Sequence, residues 1–172
     1  MARIDYPDSN HPDIAPLAAR IKAERGGKLL NLYKMLLASP PLAEGWLAFL
    51  TAVRQKAVLA GRYREAAIIR IAVLNGADYE CQAHLPFARE AGWNEHQVAA
   101  LAAGHVPDGA TAADRAVLAY TDAMTRAVHV PDAVFAALRP HFSARELVEL
   151  SVTIAAYNCV SRFLEALQVD PE

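Results

Sequence analysis

"RYREAAIIRIAVLNGADYECQAHLPFAREAG", residues 62–92, reads as two helices joined by a tight turn. Ile68, Ile69, Ala72 and Val73 recur at the spacing that keeps one side of a helix apolar. Asn75 and Gly76 then supply a stop signal, since Gly ends helices in the left-handed conformation at little cost. Asp78 stands where an N-cap of the second helix is expected, and Gly92 where that helix should end.

The second helix carries the chemistry. Glu80 and His84 are four apart, so their side chains share a face, and Cys81, three before His84, can lie beside the ring. A carboxylate next to an imidazole raises the pKa of the ring and holds one tautomer, which is what a proton-shuttling acid/base needs. Arg64 and Glu65 open the first helix, and an antiparallel hairpin lets Glu65 face His84. Bland readings fit the same spacings. A Glu/His pair at i, i+4 is also an ordinary solvated contact, Glu65 also suits a first-turn helix dipole, and Cys81 also suits a small buried hydrophobe. Pro86, inside the second helix, deprives the Gln82 carbonyl of its usual donor.

Outward from the hairpin, the chain continues in the same idiom. Ala, Leu and Arg dominate and strand-like alternation is nearly absent, so the expectation is an all-α domain of about eight helices. Upstream, Pro7, Pro12 and Pro16 mark an arm leading into a short helix, residues 1–28, and residues 29–172 form one helical domain. Within it, 28–39 is a helix with Leu29, Leu32, Met35 and Leu36 on a stripe. Ser39 caps the next helix, which runs to Val58. Downstream, "NEHQ" (94–97) has capping-box form, helices follow at 111–128 and in "VPDAVFAALRPHF", and Ser143 with Glu146 opens a final helix over 143–167. Sliding the chain by 81 positions lays Arg64 and Glu65 over Arg145 and Glu146, the register of a duplicated hairpin, though Ala-rich helices align cheaply.

Composition excludes several classes. The 172 residues carry 17 basic against 19 acidic side chains with no block of like charge, so nothing points to nucleic acid. The start lacks a secretion-signal pattern, and no apolar run approaches the roughly 20 residues that cross a bilayer, so a cytoplasmic, membrane-free protein is expected. Cys81 and Cys159 are far apart and form no CxxC, against a disulfide scaffold or zinc ribbon. His11, His96, His105, His129 and His141 lack metal-ligand spacing, and Glu80 with His84 supplies too few ligands, so no metal is expected.

Residues 62–101 resemble the signature of the carboxymuconolactone decarboxylase family, which shares its fold with alkylhydroperoxidase D. The match runs through Arg64 and Glu65, then Tyr79, Glu80 and His84, then Ala88, Arg89, Ala91 and Gly92; Asn158 and Arg162 fall in matching places of the tail. In the hydroperoxidase branch a CxxC precedes the His. Its two cysteine positions fall here on Ala77 and Glu80, and Cys81 is in neither, so the resemblance is to the decarboxylase-like branch. It implies a lyase that removes CO2 from a small carboxylated lactone without a cofactor. His84 would be the proton donor, with Glu80 and Glu65 orienting it; Arg64 or Arg70 would hold a substrate carboxylate, and Tyr79 would line the substrate site. It also implies a homo-oligomer, trimer or hexamer. Two other readings stay open: a hydroperoxidase-like antioxidant enzyme using Cys81 as a single peroxidatic thiol, and a non-catalytic helical assembly or binding module.

Overall fold

The structure, a computed structural model, describes residues 1–172 as nine α-helices and one π turn, with no strand. The all-α expectation holds. The helices are α1 (Ala15–Glu24), α2 (Asn31–Leu36), α3 (Pro40–Thr51), α4 (Gly61–Asn75), α5 (Asp78–Glu90), α6 (Glu95–Ala102), α7 (Ala112–Ala127), α8 (Asp132–Ala136) and α9 (Ala144–Leu167). The chain divides into two compact units, Met1–Lys56 with Leu164–Glu172, and Ala57–Phe163.

In the first unit α3 buries Ala43, Leu47 and Leu50, while α2 buries Leu32, Tyr33, Met35 and Leu36. Arg25 ties the unit internally, donating to the Tyr33 hydroxyl at 3.0 Å and to Thr51 Oγ1 at 2.9 Å. Two local expectations change here. Ser39 occupies the N-cap of α3 but makes no side-chain cap bond; Pro40 and Pro41 follow it and bring no N–H to be capped. The helix expected to continue to Val58 leaves α geometry at Thr51 and becomes a π turn over Ala52–Lys56. A five-residue segment is too short for apolar spacing to separate the two windings.

The second unit is built around α4, where every residue from Glu65 to Ile69, together with Ile71 and Ala72, is buried. Gly76, at φ 67°, closes α4, and the Ala77 N–H reaches back to the Ala72 carbonyl at 2.8 Å. That six-to-one closure satisfies an orphan carbonyl and reverses the chain. It also corrects the expected cap: Ala77, not Asp78, takes the N-cap position of α5, because the closure brings it directly against the new helix. The capping box at Asn94 and Gln97 forms as read from the sequence, and a second one at Thr111 and Asp114 starts α7.

Two forked ion pairs set α4 against α7. Arg62 Nε and Nη2 each lie 2.9 Å from the Asp114 carboxylate oxygens, and Arg70 reaches both oxygens of Asp122 at 2.5 and 2.7 Å. Partners in both pairs are 52 residues apart, so the two helices run parallel, locked at two points eight residues apart on each. Arg62 also lies 3.6 Å over the Trp93 ring, and the Trp93 indole N–H donates to the Arg62 carbonyl at 2.9 Å. Trp93, Cys81, Ile69, Leu101 and Leu118 belong to one core cluster.

Two further expectations change at α9. It spans 24 residues and is long and apolar enough, by length and composition, to cross a membrane, whereas no such stretch was expected. Leu150, Ile154, Tyr157, Val160 and Leu164 are buried at helical spacing, the pattern of a core helix. It also runs unbroken through Ala156 and Tyr157, the positions an 81-residue shift lays over the Asn75–Gly76 turn, so that shift yields no second hairpin.

Candidate active site

The α4–α5 hairpin brings Glu65 and His84 together. His84 Nδ1 lies 2.6 Å from Glu65 Oε2, and the residues are 5% and 1% exposed. Glu65 Oε1 accepts from Arg64 Nε at 3.0 Å, so one carboxylate is shared between a guanidinium and an imidazole. Glu65 sits in the first turns of α4 and His84 in the second turn of α5, and reversal at Gly76 is what makes residues 19 apart adjacent. Burying such a carboxylate is tolerable because both its oxygens are engaged.

The ring is held on its sides by aromatic groups. Tyr157, buried on α9, meets it edge-on with centroids 5.2 Å apart, and Phe87 lies tilted at 5.7 Å. Sequence reasoning missed both. The one visible sign of Tyr157 is that it is the only aromatic residue between Ala144 and Arg162.

Glu80 and Cys81 are buried on the same helix as His84, and Tyr79 is half-buried in its first turn. Cys81 is a free cysteine facing the core cluster. Burial, followed by the Asp78 and Glu80 carboxylates, pushes its thiol above the usual cysteine range. Of the two arginines suggested for a substrate carboxylate, Arg64 lies beside Glu65. Arg70 is engaged elsewhere: it forks onto Asp122, which raises its already high pKa, and donates to the Gly104 carbonyl. No group of three or more His, Cys, Asp or Glu side chains is arranged to hold a metal ion.

An imidazole fixed through Nδ1 to a buried carboxylate has the form of a general acid/base with an orienting partner: Nδ1 takes the structural hydrogen bond and Nε2 becomes the nitrogen that exchanges protons.

Comparison with known proteins gives a partial family match and likenesses of fold. Residues 40–123, which contain the whole hairpin, match the carboxymuconolactone decarboxylase family. No characterised protein matches the sequence closely enough to count as a relative. Among solved structures, a protein of unknown function from Agrobacterium tumefaciens, a candidate antioxidant defence protein AhpD, is 26% identical, with a TM-score of 0.73 over 80% of this chain and 94% of its own. An uncharacterised peroxidase-related protein from Silicibacter sp. TM1040 superposes with a TM-score of 0.84 at 20% identity, covering 99% of this chain and 92% of its own. A cysteine-to-alanine variant of the debrominase Bmp8, in complex with 2,3,4-tribromopyrrole, gives 0.81 at 19% identity over 100% of this chain and 94% of its own; these last two likenesses concern the fold alone. Residues 40–123 match the carboxymuconolactone decarboxylase family model, and the chain takes an AhpD-like helical fold.

Proposed function

We propose that the protein is a cofactor-free carboxy-lyase acting on a small carboxylated lactone or related acid, with His84 as its general acid/base. The observation that carries this reading is the 2.6 Å contact between His84 Nδ1 and Glu65 Oε2 inside the hairpin. In the reaction, the bond between the substrate carbon and its carboxylate breaks and CO2 leaves. The electron pair passes into the lactone as a dienolate, and His84 Nε2–H protonates the carbon. Glu65 holds Nδ1 and offsets the imidazolium charge; Arg64 holds Glu65 and lies beside the site where a substrate carboxylate would sit. The ring then regains its proton from solvent, so one proton is consumed for each CO2 released.

The rival chemistry, a peroxidatic Cys81, fits the site less well. A peroxidatic cysteine reacts as a thiolate, whereas burial and then the Asp78 and Glu80 carboxylates favour the neutral thiol at Cys81. The debrominase, whose solved variant lacks a cysteine, shares the fold with this chain and nothing in its likeness assigns Cys81 a part.

The test follows CO2 release from carboxymuconolactone and thiol-dependent loss of an organic hydroperoxide for wild type, His84→Ala and Cys81→Ser. Lactone turnover that disappears with His84→Ala and survives Cys81→Ser is expected. Hydroperoxide turnover that disappears with Cys81→Ser, beside no lactone turnover in any form, would overturn the reading.

A further inference from the structure

A second concave site lies within the Ala57–Phe163 unit. Met124, Thr125 and Val128 at the end of α7 and Ala155, Cys159 and Arg162 on α9 line an open cavity of about 690 Å³, within the size range of small-molecule sites. Its walls are mostly apolar, with Thr125 and Asn158 the uncharged polar residues among them. Arg162 is the only charged residue that lines it.

That guanidinium is pre-positioned. Arg162 Nη1 donates to the Asn158 carbonyl at 2.9 Å and to the Asn158 side-chain oxygen. Asn158 is itself fixed, its Nδ2 donating to Thr125 Oγ1 and to the Ile154 carbonyl, both at 3.0 Å. From α4, Asn75 Nδ2 donates to Asn158 Oδ1 at 3.2 Å and to Ser161 Oγ at 2.7 Å. This chain of side chains spends one nitrogen of Arg162 and leaves Nε and Nη2 without a protein acceptor; Arg162 enters no ion pair. A guanidinium whose rotamer is held by one nitrogen meets a planar anion with less entropy to lose.

We propose that this groove binds a small organic monocarboxylate, with its ring or short chain along the α7–α9 walls and its carboxylate on Arg162. Charge complementarity selects the occupant: one cation in an otherwise uncharged, mostly apolar cavity matches one negative charge on an apolar body. A polyphosphate or an acidic peptide would bring several charges to a site that has one. The site shares no lining residue with the Glu65–His84 pair, and its occupancy can be read without any turnover.

Cys159, an exposed free thiol in the wall, supplies the readout. The full-length protein is alkylated with iodoacetamide in the presence of 4-phenylbutyrate or its neutral amide, and Cys159 labelling is followed by peptide mass spectrometry. With acid at ten times its Kd, labelling should slow by about tenfold, as occupancy requires. The amide should give little protection, and Arg162→Gln should weaken acid binding by about tenfold or more, the loss of a charge-assisted contact. Calorimetric titration of Ala155→Phe, which fills the groove and leaves Arg162 in place, gives a second reading, and binding heat should vanish. Equal protection by acid and amide, or unchanged affinity in Arg162→Gln, overturns the proposal. So does protection without ligand that grows with protein concentration, since a second copy would then cover the groove.

Discussion

Helix α4 takes part in two kinds of ion pair, and they differ in the one property that separates holding from reacting. Toward α7 it offers Arg62 and Arg70, each forked onto an aspartate. Toward α5 it offers Glu65, paired with a histidine. A guanidinium keeps its proton at any physiological pH, so the α7 pairs can set register and nothing else. Imidazole is the side chain whose ordinary titration range includes neutral pH, so a carboxylate paired with one is the kind of pair that can move a proton. Arg62–Asp114 and Glu65–His84 each bury a carboxylate almost completely, and the base paired with it decides which of the two could act as a tool and which only as a fastener.

The largest effect expected is on the fastener. Arg62→Ala leaves the Asp114 carboxylate, fully covered in the structure, without its guanidinium; removing one partner of a buried pair costs about 3–5 kcal/mol. Chemical denaturation at pH 7 measures the loss. Acid sharpens the comparison. Burial pushes the Asp114 carboxyl up, but Arg62 and Thr111 outweigh it and hold the group below its ordinary value. Asp114 is therefore deprotonated in the folded state at pH values where the unfolded chain already binds a proton. Its contribution is present above the unfolded pKa of about 3.9 and is lost as pH falls through the lower folded value. The stability gap between wild type and Arg62→Ala should narrow from pH 7 to pH 3. A gap that stayed constant would mean that Arg62 acts through its stacking on Trp93 and not through charge.

Glu65→Gln breaks the other pair. The amide keeps the shape of the carboxylate but loses its charge and no longer dictates which ring nitrogen carries the proton. Turnover of the lactone should fall by about 100-fold, the low end for a general acid/base contribution, with KM changed little. A variant that lost substrate affinity while keeping kcat would move Glu65 from orienting the ring to holding the substrate.

Legibility in the sequence follows the same division. The hairpin could be read because everything in it is local: a helical apolar period, an Asn-Gly stop, and a Glu/His spacing on one face. Glu65 meeting His84 needed one further assumption, antiparallel return across the turn, and the geometry agrees. What could not be read is long-range. Arg70 looked available for a substrate because Asp122, its partner, lies 52 residues away on a helix whose parallel course no local pattern reveals. Tyr157, which packs against His84 from α9, is 73 positions from it and is hidden for the same reason. The exit from α geometry at Thr51 was invisible because a single π turn over Ala52–Lys56 is too short to show a period of its own.

The smallest effect expected is at Cys81, and it tests whether the α5 pair works alone. Its thiol sits among Ala66, Ile69, Ala72 and Ala88, where it behaves as a small apolar side chain. Cys81→Ser puts a hydroxyl into that cluster and should cost about 1–2 kcal/mol of stability, the penalty of a poorly partnered buried polar group. Lactone turnover per folded molecule should stay close to wild type, because the proposed mechanism routes proton transfer through His84 and Glu65 and the serine is nearly isosteric. The alkylation rate of Cys81 separates stability from chemistry. A raised thiol pKa and 6% exposure predict labelling far slower than at Cys159, which is exposed. If Cys81 reacted first, a thiolate would be accessible beside His84, and the histidine would have to be read as the base that activates it.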